Sequence, residues 1–185
     1  MNDKFKKGFT LVELLVVIGI LAILTAAVVV VLNPAELLKQ ARDAQRLSDL
    51  SAVQNAISLY LSVAQSPKFL DGSSSKAFSM VSPANCYDIS LTCEVNASTK
   101  IDGTGWVPVN FNELTSVNLS PPLSALPVDP VNNAAYHYVG AFDGTNKVYE
   151  LNAVLESSKY SPKMSLDGGS TTTVYEVGNK PGLDL

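Results

Sequence analysis

The sequence predicts an α+β protein in which one long N-terminal α-helix packs against a small C-terminal antiparallel β-sheet. Three observations predict it. An uncharged apolar run extends from Leu14 to Leu32. Beyond it Leu50, Val53, Ile57, Tyr60, Leu61 and Ala64 recur at helical spacing and mark one apolar face. Later still, two alternating segments flank an Asp143-Gly144 turn, the pattern of a β-hairpin. A length of 185 residues allows one ordinary domain in addition to the helix.

The first half of the helix reads as a membrane segment. Between Leu14 and Leu32 Thr25 is the only polar side chain. At about 1.5 Å per residue such a run nearly crosses a hydrocarbon core of roughly 30 Å. Lys4, Lys6 and Lys7 precede it against one acid, Asp3, which by the positive-inside rule holds the N-terminus in the cytoplasm. A secretory signal peptide would show a shorter apolar stretch of roughly 7–15 residues and then a small-residue cleavage site. Here Ala22, Ala26 and Ala27 lie inside the run. A plain signal anchor accounts for the lysines and the run but not for Glu13, an acid set in apolar sequence. At the centre of a membrane helix an acid costs roughly 2.5–3.5 kcal/mol. Glu13 lies nearer the end, where the cost is smaller. It either snorkels or takes up a proton, or it awaits a positive partner.

The stretch Lys6-Lys7-Gly8-Phe9-Thr10-Leu11-Val12-Glu13-Leu14 resembles the processing motif of type IV prepilins and type II secretion pseudopilins. The close likeness covers roughly the first third of the chain. The resemblance implies the pilin fold and cleavage between Gly8 and Phe9 by a membrane-embedded prepilin peptidase. It implies that the same enzyme methylates the new amino group of Phe9. Glu13 then becomes the fifth residue of the mature chain and sets register in a helical homo-oligomer. An inner-membrane assembly platform and an assembly ATPase are further implied partners, with membrane lipid surrounding the helix before assembly. The chemistry is coherent in itself. The cut removes the lysines that pin the segment and creates a cationic amine that a neighbour's Glu13 can pair with in low dielectric, fixing axial register.

The second half of the helix follows Asn33-Pro34. Proline lacks an amide hydrogen and clashes with the preceding turn, so a kink or local break is expected at Pro34. Gly19, Ala22, Ala26 and Ala27 suit close helix approach, or are ordinary small residues of a membrane helix. Lys39 with Asp43, and Arg46 with Asp49, have the spacing of exposed helix pairs, each worth about 0.2–0.5 kcal/mol. The helix is expected to end near Ala64, before Gln65-Ser66-Pro67.

The remainder forms the head. Residues 66–102 are rich in Ser, Asn and Gly and read as a connecting loop over the sheet, with room for a short hidden strand or helix. Cys86 and Cys93 are the only cysteines, which fits one short disulfide loop in an oxidising compartment. A zinc site wants about four ligands, and His137 is the only histidine. Strands are expected over Ala135–Phe142, Lys147–Leu155 and Thr172–Val177. In the second of these, Tyr149, Leu151, Ala153 and Leu155 face one side and Glu150 and Asn152 the other, so one sheet face is apolar. Leu126-Pro127-Val128-Asp129-Pro130 resembles the segment leading into the sheet of major pseudopilins, although Val131 replaces the usual aromatic. Members of that group often bind calcium near the end of the sheet. Asp143 with Asn146, or Asp167, could supply oxygens here, but all three also suit turns. No other cofactor is expected.

The charge pattern narrows function. Beyond Gln65 acids outnumber bases and arginine is absent, a surface that repels nucleic acid. His137 lacks a second histidine and reads as a sheet surface or edge residue, so no catalytic set is visible. Asn96-Ala97-Ser98 and Asn118-Leu119-Ser120 match the glycosylation pattern, which is common by chance. The organisation expected is a leader over 1–8, a membrane and filament-core segment over 9–33, an amphipathic half-helix over 34–65 and a head over 66–185. A type IV pilus subunit, a major pseudopilin of a type II secretion system and a non-polymerising tethered binding module all satisfy it. In each the head lies outside the cytoplasmic membrane of a bacterium, and none is an enzyme.

Overall fold

In a computed structural model, residues 8–69, 75–82, 84–87 and 89–180 are described, without the side chains of 30–32. The leader lysines lie outside the described residues. The chain divides into two compact units, residues 1–38 and 39–185.

The first unit holds helix α1, Leu11–Leu32. Asn33 adopts a left-handed conformation (φ 40°) that ends α1. Pro34 then opens helix α2, Pro34–Val63, where a missing N–H costs nothing and the fixed φ is already helical. The break is satisfied locally, because the Glu36 N–H donates to the Asn33 carbonyl at 3.0 Å. The break expected at Pro34 is present, and it divides the long helix into α1 and α2.

The second unit is α+β. Leu50, Val53, Ala56, Ile57 and Tyr60 of α2 are buried. They pack with Phe78, Trp106, Tyr138, Phe142, Tyr149 and Leu151 in one core. Fully burying one such apolar side chain is worth about 1.5–3 kcal/mol, so this stripe binds helix to sheet. After Val63 the chain reverses around Tyr60, whose hydroxyl accepts from the Lys68 N–H and donates to Glu113, both at 3.0 Å.

The sheet has five strands in the order β2-β1-β3-β4-β5: β1 Ser75–Ser79, β2 Cys93–Val95, β3 Val139–Asp143, β4 Val148–Ala153 and β5 Tyr175–Gly178. Two of them, β1 and β2, lie inside the segment expected to be a loop. Their pairing is parallel and the others are antiparallel, so the sheet is mixed. A short 3-10 helix, Phe111–Val117, lies between β2 and β3. The β3 strand begins at Val139 rather than Ala135, because Asn133 accepts from the N–H groups of Ala135 and Tyr136 and holds them in a turn. The third expected strand starts late, at Tyr175.

A further departure is that both faces of the sheet are covered. Phe78, Phe142, Tyr149 and Leu151 face α2, whereas Ala77, Val139 and Ala141 pack against Cys86, with Tyr87, Ile89, Leu91 and Cys93 beside them. Glu150 and Asn152, expected on the face opposite the apolar residues, are each 2 % exposed.

Candidate functional site

The first site is the start of α1. Gly8 and Phe9 are exposed, and a side chain added at Gly8 would meet nothing within 4 Å. Thr10 is the N-cap and Glu13 the third helical residue, forming a reciprocal capping box. The Thr10 N–H and hydroxyl donate to one Glu13 oxygen at 2.8 and 2.7 Å, and the Glu13 N–H donates to Thr10 Oγ1 at 3.2 Å. The carboxylate thus sits where the helix dipole favours negative charge. Thr-x-x-Glu before an apolar run is a readable signal, and Thr10 is the functional residue that the sequence reading did not single out.

From Leu11 to Val29 the helix is long and apolar enough to cross a membrane, and none of it is buried within the chain. Its one internal polar group, the Thr25 hydroxyl, donates to the Leu21 carbonyl at 2.7 Å and so needs no partner from lipid.

The second unit contains a buried ionic cluster. Asp43 and Arg46 were expected on an exposed face, and both are fully buried. Arg46 donates two hydrogen bonds to Asp129 (2.6 and 3.0 Å) and one each to Asp43 and Glu156 (2.8 Å). Arg42 grips Glu156 with two bonds at 2.6 and 2.7 Å. Asp43 accepts from the Ser157 N–H and hydroxyl at 2.8 and 2.6 Å, and Asp129 from the Val131 and Asn132 N–H groups at 2.8 and 3.1 Å. The Tyr136 ring lies 4.9 Å from the Arg46 guanidinium. Bonds from Arg42 outweigh burial and hold Glu156 below the usual carboxylate range. Burial opposes the Arg46 charge, but its bonds to Asp129 and Glu156 outweigh it and raise its pKa. Asp49, expected as the partner of Arg46, instead accepts from the Tyr138 hydroxyl at 2.8 Å. The cluster pins α2 to the turn before β3 and to the segment after β4.

The other predicted residues occupy structural positions. Cys86 and Cys93 are joined in a disulfide whose loop packs on the second sheet face. His137 is fully buried rather than at a surface or edge. Its ring stacks on Tyr87 at 4.7 Å, with Nε2 2.8 Å from the Asn85 carbonyl and Nδ1 3.1 Å from that of Asn133. Both nitrogens are engaged inside the head, Nδ1 also by the Tyr87 hydroxyl at 3.3 Å. Asp143 accepts from the N–H groups of Thr145 and Asn146 and from the Asn146 side chain, which is turn chemistry. Asp167 accepts from Gly169 and Glu176 N–H groups at 2.9 Å. Among the described residues no three His, Cys, Asp or Glu side chains gather closely enough to hold a metal.

Residues 3–29 match the family model of the prokaryotic N-terminal methylation motif. That motif marks type IV pilin-like and pseudopilin-like prepilin-type proteins, and the chain carries it. It implies processing by a prepilin peptidase and filament assembly in general, in a group of structural rather than enzymatic proteins. No curated protein and no solved structure matches the chain.

Proposed function

We propose that the chain is a structural subunit of a type IV pilus or a closely related filament. The observation that carries this reading is the methylation motif on a fully exposed apolar helix, with Glu13 as the acid of its first turn. Prepilin peptidase cuts after Gly8 and methylates Phe9. The cut removes the lysine anchor and leaves a cationic amine, while methylation keeps the charge. Glu13, until then satisfied by Thr10 within its own chain, pairs with the Phe9 amine of a neighbour as the helices gather. The apolar face that lipid covers before assembly is then covered by copies of the same helix. The assembly platform and its ATPase draw the subunit from the cytoplasmic membrane, and the head lies outside it. The head is non-catalytic, and its acidic surface gives nucleic acid no foothold.

Mass spectrometry of the mature N-terminus tests the reading. The expected chain begins at Phe9 and carries one added methyl group. An intact Met1 in cells with active prepilin peptidase overturns it. Gly8→Leu is expected to block leader removal. Glu13→Ala is expected to leave cleavage intact and to empty the sheared-filament fraction.

A further inference from the structure

His137 is a fully buried ionisable residue to which the filament reading gives no role. Its ring joins two segments. Nε2 lies 2.8 Å from the carbonyl oxygen of Asn85, next to Cys86 of the disulfide, and Nδ1 lies 3.1 Å from that of Asn133, in the turn before β3. Tyr87 closes the arrangement from the loop side. Its ring stacks on the imidazole, and its hydroxyl donates its single proton to the His137 carbonyl at 2.9 Å. Towards Nδ1 at 3.3 Å and the His137 N–H at 3.4 Å that hydroxyl is left to accept.

Donors and acceptors do not balance around a neutral ring. Among the described residues both ring nitrogens face acceptors, two carbonyls and a hydroxyl whose proton is committed. A neutral imidazole has one N–H and one lone pair, so it satisfies one carbonyl and turns its lone pair on the other. An imidazolium has two N–H groups and satisfies both. The loop carries a second sign of tension. Tyr87 has a φ of 54°, in the left-handed region that a bulky residue occupies only when its surroundings hold it there. The stack and the two hydroxyl bonds to the His137 backbone do so.

We propose that His137 is a proton-operated latch: with both nitrogens protonated it ties the disulfide loop to the turn before β3, and loss of one proton frees the loop. Charged groups flank it on several elements. Asp129 caps the turn that carries Asn133, and Glu150 of β4 and Glu176 of β5 line the cleft on which Tyr87 closes. Arg46 of α2, over the adjacent Tyr136 ring, opposes a second cation but is itself matched by Asp43, Asp129 and Glu156. Burial pushes the Tyr87 phenol far up, so Tyr87 stays neutral while the histidine titrates. Imidazole is the side chain whose charge ordinarily changes between about pH 5 and 8. The charged ring makes both bonds, so the loop is held on the acid side and released as pH rises. Release uncovers Ala77, Val139 and Ala141 and opens the cleft behind Tyr87. The latch does not depend on whether the chain forms filaments.

The test uses the full chain, nitrogen-labelled and purified in detergent with its disulfide intact. His137 is the only histidine, so its ring signals identify themselves. NMR follows the two ring nitrogens from about pH 5 to about pH 9. Both are expected to carry protons at the acid end, and one to lose its proton on the way up. In parallel the phosphine TCEP reduces the Cys86–Cys93 disulfide, with oxidised glutathione in the same buffers as the reference. The reference-corrected rate is expected to rise roughly tenfold as the ring loses its charge, the effect of one lost buried hydrogen bond. His137→Gln, which does not titrate, is expected to show no such rise. A ring that keeps one charge state across the range overturns the proposal, as does a flat rate while the ring titrates. A rise preserved in His137→Gln overturns it too, because another group is then responsible. Should that variant fail to fold, the two measurements on the unaltered chain decide the matter alone.

Discussion

Replacing Arg46 by Met removes a cation that touches Asp43, Asp129 and Glu156 together. The three acids are not affected equally. Glu156 keeps Arg42, and Asp43 keeps Ser157. Among the described residues Asp129, 4 % exposed, keeps only the backbone N–H donors of Val131 and Asn132 and loses both guanidinium bonds. Removing one partner of a buried pair costs about 3–5 kcal/mol, mostly because the other charge is left buried. At about 2–4 °C per kcal/mol for a chain of this size, Tm should fall by roughly 6–20 °C. Thermal denaturation followed by circular dichroism measures it. The control is Lys76→Met, which breaks the Lys76–Glu94 pair, whose side chains are 39 % and 44 % exposed. That exposed pair is worth at most about 1 kcal/mol. The double variant Arg46→Met/Asp129→Asn should be more stable than Arg46→Met alone, since asparagine removes the orphaned charge and keeps an oxygen for the turn. Equal melting of Arg46→Met and Lys76→Met would refute the reasoning, and so would a double variant no better than the single.

Two further outcomes concern Glu156 of the same cluster and the disulfide. Glu156 is held below its ordinary value of 4.5, so the folded state binds its proton less readily than the unfolded chain. Its contribution is therefore complete above that value and is lost as pH falls through the lower folded-state pKa. Stability measured by denaturant titration should decline below about pH 4.5, and Glu156→Gln should flatten that decline while lowering stability at neutral pH. Cys86→Ser with Cys93→Ser opens a loop of about eight residues, and the chain-entropy relation puts the loss at roughly 2–3 kcal/mol. Because the loop also covers Ala77, Val139 and Ala141, the double serine variant should in addition speed amide exchange in β1 and β3.

The legible parts of the sequence were those governed by local rules. Spacing of Leu50, Val53, Ile57 and Tyr60 predicts a helix ending near Ala64, and α2 ends at Val63. Asp143-Gly144 predicts the turn between β3 and β4. The β1 strand was not legible, because Ser75–Ser79 is polar and short and becomes a strand only by pairing with both β2 and β3. His137 had the appearance of an edge residue because its partners, Asn85, Tyr87 and Asn133, carry no local pattern that points to it.

By itself the sequence determined the apolar helix, its prepilin-type start and the position of the acid within it. Each follows from consecutive residues acting on solvent, lipid or a neighbouring turn. Only the tertiary structure decided the fates of the charges and the polar strand residues. Helical spacing places Arg46 beside Asp49 as readily as beside Asp43. The choice was made by Asp129 and Glu156, 83 and 110 residues further along the chain. Glu150 and Asn152 alternate outward on β4 as a solvated face would. They are buried because the disulfide loop and residues 170–176 fold over them, bringing oxygens from distant segments into one cleft.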